Sequence, residues 1–347
     1  MAGGGNTSYK DETRLLVKAS GASLANIDES GFVCLEREKL KVISEKTYSQ
    51  DALSREQEVK ADLNAAVLFP KDKRPSVETS MHEIIQFPFV VHTHPTLANG
   101  LLCASNSKES VLSIFGNNCL YVPYTDPGYV LFKAVLDALI DFRYVHRHEP
   151  NIIFLENHGV FVAGNNTAEI KEIYRRIESE IEKRIEKIPE NNPVVNHALQ
   201  ALTEITGQHF SLCLTYSASS LVQQFVGSQE DFSMVNAPFT PDNIVYCKSK
   251  YLFINGDGDI NLEIENFWAQ NGYLPKIIAV KDEGIMAMDE NEKSANIALE
   301  VFIDMMMVSL VTLCFGGPRY MSEQQIAFID NWEVENYRRQ VSKKQFN

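Results

Sequence analysis

Three short apolar runs, Leu15 to Lys18, Phe87 to Val91 and Asn151 to Leu155, constrain the fold most strongly. Each is too short for a helix of ordinary length and reads as a strand. Helices lie between and after them. The clearest is Ala168 to Ile188, where Ile170, Ile173, Tyr174, Ile177, Ile181 and Ile185 recur at helical spacing and Lys, Arg and Glu fill the other positions. That charge run is a solvated helix face. Pro189, Asn191, Asn192 and Pro193 then break the pattern, which predicts a boundary near residue 190. A length of 347 residues accommodates a domain over 1–190 and a second over 191–347.

The balance of 32 Lys plus Arg against 46 Asp plus Glu gives a net charge of −14, which repels polyphosphate backbones, so nucleic acid is excluded as a partner. The six cysteines form no C-x-x-C pair and the N-terminus has no signal-peptide pattern, so reduced thiols in the cytoplasm are expected. The most apolar stretch, Val301 to Phe315, carries Asp304 and is shorter than the roughly 20 residues a membrane span needs. No membrane span is expected.

Two of the eight histidines form His92-Thr93-His94 at the end of the second apolar run. Side chains two apart on a strand share a face, so both imidazoles can address one ion or simply be hydrogen-bonded. His158 also follows a strand and precedes Gly159. Three imidazoles leave a fourth position open, as in a catalytic rather than a structural zinc site. Glu78 lies where a turn enters a helix before the His92 strand; it is either a first-turn acid facing the helix dipole or a carboxylate that moves a proton beside the metal.

Beyond residue 190 the chain echoes itself. Glu156-Asn157-His158-Gly159-Val160-Phe161 resembles Asp282-Glu283-Gly284-Ile285-Met286, and Val122-Pro123-Tyr124-Thr125 resembles Ala237-Pro238-Phe239-Thr240. In that alignment Glu283 replaces His158, Phe239 replaces Tyr124, and Leu214 and Tyr216 fall where His92 and His94 stand. The extra residues that reconcile the two anchors fit around Gly256 to Gly272. The second half is then expected to be a copy stripped of its chemistry.

The segments Gly4-Gly5-Asn6-Thr7-Ser8, Lys18-Ala19-Ser20-Gly21, Pro75-Ser76-Val77-Glu78, His92-Thr93-His94 and Glu156-Asn157-His158-Gly159 resemble, in content and order, the class II aldolase and adducin family. The wording is most similar to the aldolase portion of fused rhamnulose-phosphate aldolase and short-chain dehydrogenase proteins, and Thr240-Pro241-Asp242-Asn243 extends that likeness. The resemblance implies an α/β class, a three-layer α/β/α fold around a mixed, largely antiparallel sheet, here followed by the degenerate second copy. It implies Zn2+ or another divalent transition metal on His92, His94 and His158, and Glu78 as acid/base. Tyr124, given across a subunit interface, is the implied proton donor to the aldehyde oxygen, unless it is a core or turn tyrosine. Phosphate of a small-molecule sugar phosphate falls to Asn6, Ser20, Gly21 and Ser76, each of which also suits ordinary turn chemistry. Val77 stands where other aldolases carry a second serine, and Lys18 is a candidate replacement.

The resemblance also implies a homo-oligomer, here a dimer of duplicated chains. Met1 lies just before Gly3, so the family's N-terminal helices are absent, and either the start is placed late or another subunit completes the packing. The activity implied is cleavage of a ketose 1-phosphate of the rhamnulose-1-phosphate type to dihydroxyacetone phosphate and a small aldehyde. A sugar-phosphate 4-epimerase shares the same ligands, whereas adducin-like binding modules generally lose the histidines kept here. Tyr246 and Lys250 match the Y-x-x-x-K spacing of a dehydrogenase, but no glycine-rich nucleotide turn accompanies them.

Overall fold

A computed structural model describes residues 4–256 and 258–331. The strands are β1 (Asn6–Lys10), β2 (Arg14–Lys18), β3 (Phe32–Glu36), β4 (Val67–Phe69), β5 (Phe89–Thr93), β6 (Leu120–Val122), β7 (Ile152–Leu155), β8 (Gly159–Gly164), β9 (Cys213–Ser217), β10 (Leu252–Ile254), β11 (Ile277–Val280) and β12 (Gly284–Asp289). The helices are α1 (Arg37–Glu45), α2 (Ala52–Ala66), α3 (Thr79–Ile84), α4 (Thr96–Leu102), α5 (Ser107–Phe115), α6 (Tyr129–His146), α7 (Thr167–Glu182), α8 (His197–Phe210), α9 (Ser220–Val226), α10 (Gln229–Ser233), α11 (Pro241–Cys247), α12 (Ile260–Asn271), α13 (Glu292–Leu313) and α14 (Glu323–Asn331). They fall into two compact units, one of residues 4–102 and 106–183, the other of 103–105 and 184–331.

The first unit is built on an eight-stranded sheet in the order β4-β3-β2-β1-β5-β8-β7-β6. Only the β6–β7 pair is parallel, so the sheet is mixed and largely antiparallel, as the sequence implies. Strand alternation divides the apolar side chains between two faces. On one, Leu15, Val17, Val33, Val90, Ile153 and Phe161 pack with Leu40 of α1, Val59 of α2, Met81 of α3 and Leu139 of α6. On the other, α4, α5 and α7 cover the sheet, and Phe115 of α5 meets Phe154 of β7 with ring centroids 4.9 Å apart. Helices on both faces make three layers.

Helix α7 ends at Glu182, earlier than its periodicity predicts. Ile181 is its last fully buried apolar residue, whereas Ile185 is only half-buried, so the apolar face that anchors the helix weakens beyond that turn.

The second unit carries a four-stranded sheet, β10-β11-β12-β9, with a parallel pair followed by two antiparallel pairs. This repeats the pairing of β6-β7-β8-β5. The two hairpin turns match in detail: Asn157 and Asp282 both have positive φ, 53° and 61°, and His158 and Glu283 each donate a backbone N–H to the last residue of the preceding strand.

Strand register corrects part of the sequence alignment. His92 pairs with Phe161 and Tyr216 with Met286, so Tyr216 stands in the place of His92 and Ala218 in that of His94, a shift of two residues from Leu214 and Tyr216. Val122 pairs with Leu155 and Ile254 with Val280, so Tyr124 corresponds to Gly256, not Phe239. The extra length lies before β10, where α11 is inserted; α12, at 12 residues, is shorter than α6, at 18. The proline-aromatic-threonine likeness misled because Phe239 and Thr240 serve instead as the capping approach to α11.

The apolar stretch near the C-terminus is longer than the sequence suggests. Helix α13 has 22 residues, long and apolar enough by composition to cross a membrane, but 61% of its most apolar window is buried inside the protein. It packs on α9, α11, β9 and β12 of its own unit, as a core helix does.

Candidate metal centre

The site is assembled on one face of β5. Val90 of that face sits in the core under α3, so His92, two residues on, is directed to the same side. Asn6 of β1 lies opposite His92 in the register and Ser8 opposite Val90, so Asn6, Ser8 and Lys10 share that face. All three reach α3. The Asn6 amide donates to Glu78 Oε2, Ser8 Oγ lies 2.7 Å from His82 Nδ1, and the Lys10 ammonium donates to the His82 carbonyl.

Glu78 is the N-cap residue of α3, yet its side chain makes no capping bond. Its Oε1 instead lies 3.3 Å from His92 Nε2 and 3.4 Å from His158 Nε2. Of the two readings open in the sequence, the carboxylate is turned toward the imidazoles.

His92, His94 and His158 offer one nitrogen each, all within 4.8 Å of one another, and the Nε2 atoms of His92 and His94 are 3.0 Å apart. Ligand atoms around a tetrahedral zinc with bonds of about 2.0–2.1 Å are roughly 3.3 Å apart, and the His92–His94 separation and those of Glu78 Oε1 from His92 and His158 lie close to that spacing, so the group could hold one divalent ion. The protonation state also suits it. His92 is wholly buried, which holds its basicity well below the ordinary imidazole value, with Glu78 opposing. Its Nδ1 lies 3.1 Å from the Val160 carbonyl, which can only accept, so Nδ1 carries the proton and Nε2 keeps a free lone pair.

Further residues around the triad were invisible to spacing arguments. A Cβ on Gly159 would lie 2.6 Å from His94 Cδ2 and 2.6 Å from the Thr93 carbonyl, and one on Gly5, at φ +83°, would lie 2.8 Å from the His92 carbonyl. Both glycines stand in quoted motifs, but only the sheet register gives the reason. On the opposite face Tyr174 of α7 places its hydroxyl 2.8 Å from Thr93 Oγ1, steadying the residue between two histidines. In the sequence Tyr174 was one more apolar helix position.

The remaining predicted residues lie in two places. Ala19 and Pro75 form a β-bridge and Ser20 donates its N–H to the Arg74 carbonyl, so the Ser20-Gly21 turn, with Gly21 at φ +86°, lies beside the segment entering Ser76. Ser76 Oγ accepts the Glu78 N–H at 3.2 Å, and the buried Lys18 ammonium donates to the Ala22 carbonyl at 2.7 Å, closing the turn. Tyr124 follows β6; its hydroxyl donates to Asp126 Oδ1 at 3.2 Å and its backbone N–H to Glu156 Oε2 at 2.8 Å. Burial first, and the Asp126 carboxylate second, push the Tyr124 phenol well above its ordinary value, so it stays protonated.

A family model, the class II aldolase and adducin N-terminal domain, matches residues 1–182. The chain belongs to the class II aldolase and adducin family. A curated relative, the uncharacterized oxidoreductase YuxG of Bacillus subtilis, is 25% identical over 73% of this chain, and the chain spans 39% of that relative's length. Among solved structures, the N-terminal class II aldolase domain of a Thermoplasma acidophilum protein is 26% identical, covering 52% of this chain and 83% of that one with a TM-score of 0.45. An L-fuculose-1-phosphate aldolase from Thermus thermophilus is 17% identical, covering 52% and 82%, with a TM-score of 0.32. The class II aldolase fold thus accounts for the first unit, and its histidine triad can hold a metal ion.

Proposed function

We propose that the protein is a metal-dependent aldolase that cleaves a ketose 1-phosphate of the rhamnulose-1-phosphate type to dihydroxyacetone phosphate and a small aldehyde. The observation that carries this reading is the Glu78 carboxylate, which forgoes its helix cap to face His92 and His158. A divalent ion on the triad, zinc by the preference of three imidazoles, supplies Lewis-acid polarisation of the substrate's carbonyl and hydroxyl oxygens.

In the synthetic direction Glu78 takes the proton from carbon 3 of dihydroxyacetone phosphate, and that carbon attacks the aldehyde. Tyr124 gives its hydroxyl proton to the aldehyde oxygen, and cleavage runs in reverse. The Asn6 amide on Oε2 directs the other carboxylate oxygen inward. The phosphate is assigned to Asn6, Lys18, Ser20, Gly21 and Ser76; the approach of the Ser20-Gly21 turn to Ser76 supports this. The reading brings with it a homo-oligomer, in which Tyr124 serves a neighbouring subunit.

Release of dihydroxyacetone phosphate from rhamnulose, fuculose and ribulose 1-phosphates tests it, with and without chelator. Chelator-sensitive cleavage, reduced at least about 100-fold in Glu78→Gln, is expected. Interconversion of 4-epimers without product release would instead establish an epimerase, and no turnover of any of the three by metal-loaded protein would contradict the proposal.

A further inference from the structure

Glu156 is 5% exposed and both its carboxylate oxygens are engaged: Oε1 accepts the Tyr121 hydroxyl at 2.7 Å, and Oε2 accepts the Tyr124 backbone N–H at 2.8 Å. Its own N–H donates to the Val122 carbonyl at 3.0 Å. One residue, two positions before His158, therefore grips β6 and the segment that follows it by three hydrogen bonds.

The second unit provides an internal control. Lys281 occupies the place of Glu156, and its N–H donates to the Ile254 carbonyl at 2.9 Å, the same backbone bond. The hairpin there keeps its positive-φ residue, Asp282, and its strand pairing. Phe253 replaces Tyr121, Gly256 replaces Tyr124, and Lys281 is exposed. The turn thus forms with no acid at this position, and the acid, the Tyr121 hydroxyl and Tyr124 are replaced together where the histidines are also replaced. Folding of the hairpin does not account for the Glu156 carboxylate.

We infer that Glu156 is a positioning residue: it fixes the backbone at Tyr124 on β6 and β7 of its own subunit, and so sets where the Tyr124 hydroxyl delivers its proton in the neighbouring subunit's site. This rests on the aldolase reading above and adds to it a division of labour. Glu156 serves the aldehyde half of the reaction through Tyr124 and leaves the Glu78 half untouched. The tie is one of geometry, because a backbone N–H and a phenol O–H are both neutral donors.

The test separates the two halves in the metal-loaded full-length protein. Exchange of the carbon-3 proton of dihydroxyacetone phosphate in D2O reports Glu78 and the metal; cleavage of rhamnulose 1-phosphate also requires Tyr124. Glu156→Ala is expected to retain metal content and exchange within about 3-fold while cleavage kcat falls roughly 30- to 100-fold, the scale of an ångström-level misplacement. Glu156→Gln should recover most of the cleavage, since its amide oxygen can accept the Tyr124 N–H while its NH2 donates to the Tyr121 hydroxyl.

Equal loss of exchange and cleavage in the alanine variant, or no loss of either, overturns the proposal. So does a glutamine variant that exchanges normally but cleaves no better than alanine, because charge rather than geometry would then be at work. Wild-type protein that binds metal yet neither exchanges nor cleaves defeats the aldolase reading itself.

Discussion

At the scale of single residues, the histidines were legible as a set because H-x-H at a strand end and a third histidine at another strand end are rare coincidences of type and place. The residues that shape them were not, because their reasons lie in register. Gly159 shows this most clearly: it carries no chemistry, but any side chain there would invade His94 and the Thr93 carbonyl, both at 2.6 Å. Gly159→Ala is expected to weaken metal binding at least about 10-fold and to cost about 1–3 kcal/mol of stability, read by competition with a chromogenic chelator and by urea denaturation. Lys10 gives a second residue-level prediction. Burial, opposed by the Glu83 carboxylate, lowers its ammonium from 10.5 to about 8. Between about pH 8 and 10.5 the unfolded chain therefore binds more protons than the folded one, and this contribution to stability rises with pH across that window. Below it both states are charged and the full penalty is present. Replacing Lys10 with Met should remove that rise, on the order of 2 kcal/mol, from the difference between urea midpoints measured near pH 7.5 and pH 10; an unchanged slope would assign it to other groups.

At the scale of elements, β2, β5 and β7 were readable as apolar runs, whereas β1 was not, since Asn6, Thr7, Ser8, Tyr9 and Lys10 look like a loop. A polar strand survives at the centre of this sheet because its inward side chains find partners on α3. Helix α3 is only six residues long and has no side-chain cap, so this row of bonds, rather than helix propensity, fixes where Glu78 stands. Ser8→Ala would deprive His82 Nδ1 of its partner inside a fully buried site. It is expected to lower stability by about 1–3 kcal/mol in metal-free protein, measured by urea denaturation; a change below about 0.5 kcal/mol would show that the Ser8–His82 bond does not hold α3.

At the scale of the whole molecule, two units share one sheet pattern but not one chemistry. The echo was audible in the sequence at the β11–β12 turn because Asp282 and Glu283 keep residue types suited to a left-handed turn residue and its follower. It was misread at β9 because an edge strand without histidines offers no anchor, and a shift of two residues preserves alternation. With register settled, Tyr216, Ala218 and Glu283 stand in place of His92, His94 and His158, and the Glu283 carboxylate is taken by the Asn196 amide at 2.7 Å. One metal site is therefore expected among the described residues, in the first unit. Metal content per chain after chelation, reloading with Zn2+ and removal of excess, for wild type beside His158→Ala, tests this most directly. One ion per chain in the wild type, lost or weakened by at least about 10-fold in the variant, is the predicted result; no bound ion, or binding that His158→Ala leaves intact, would contradict it.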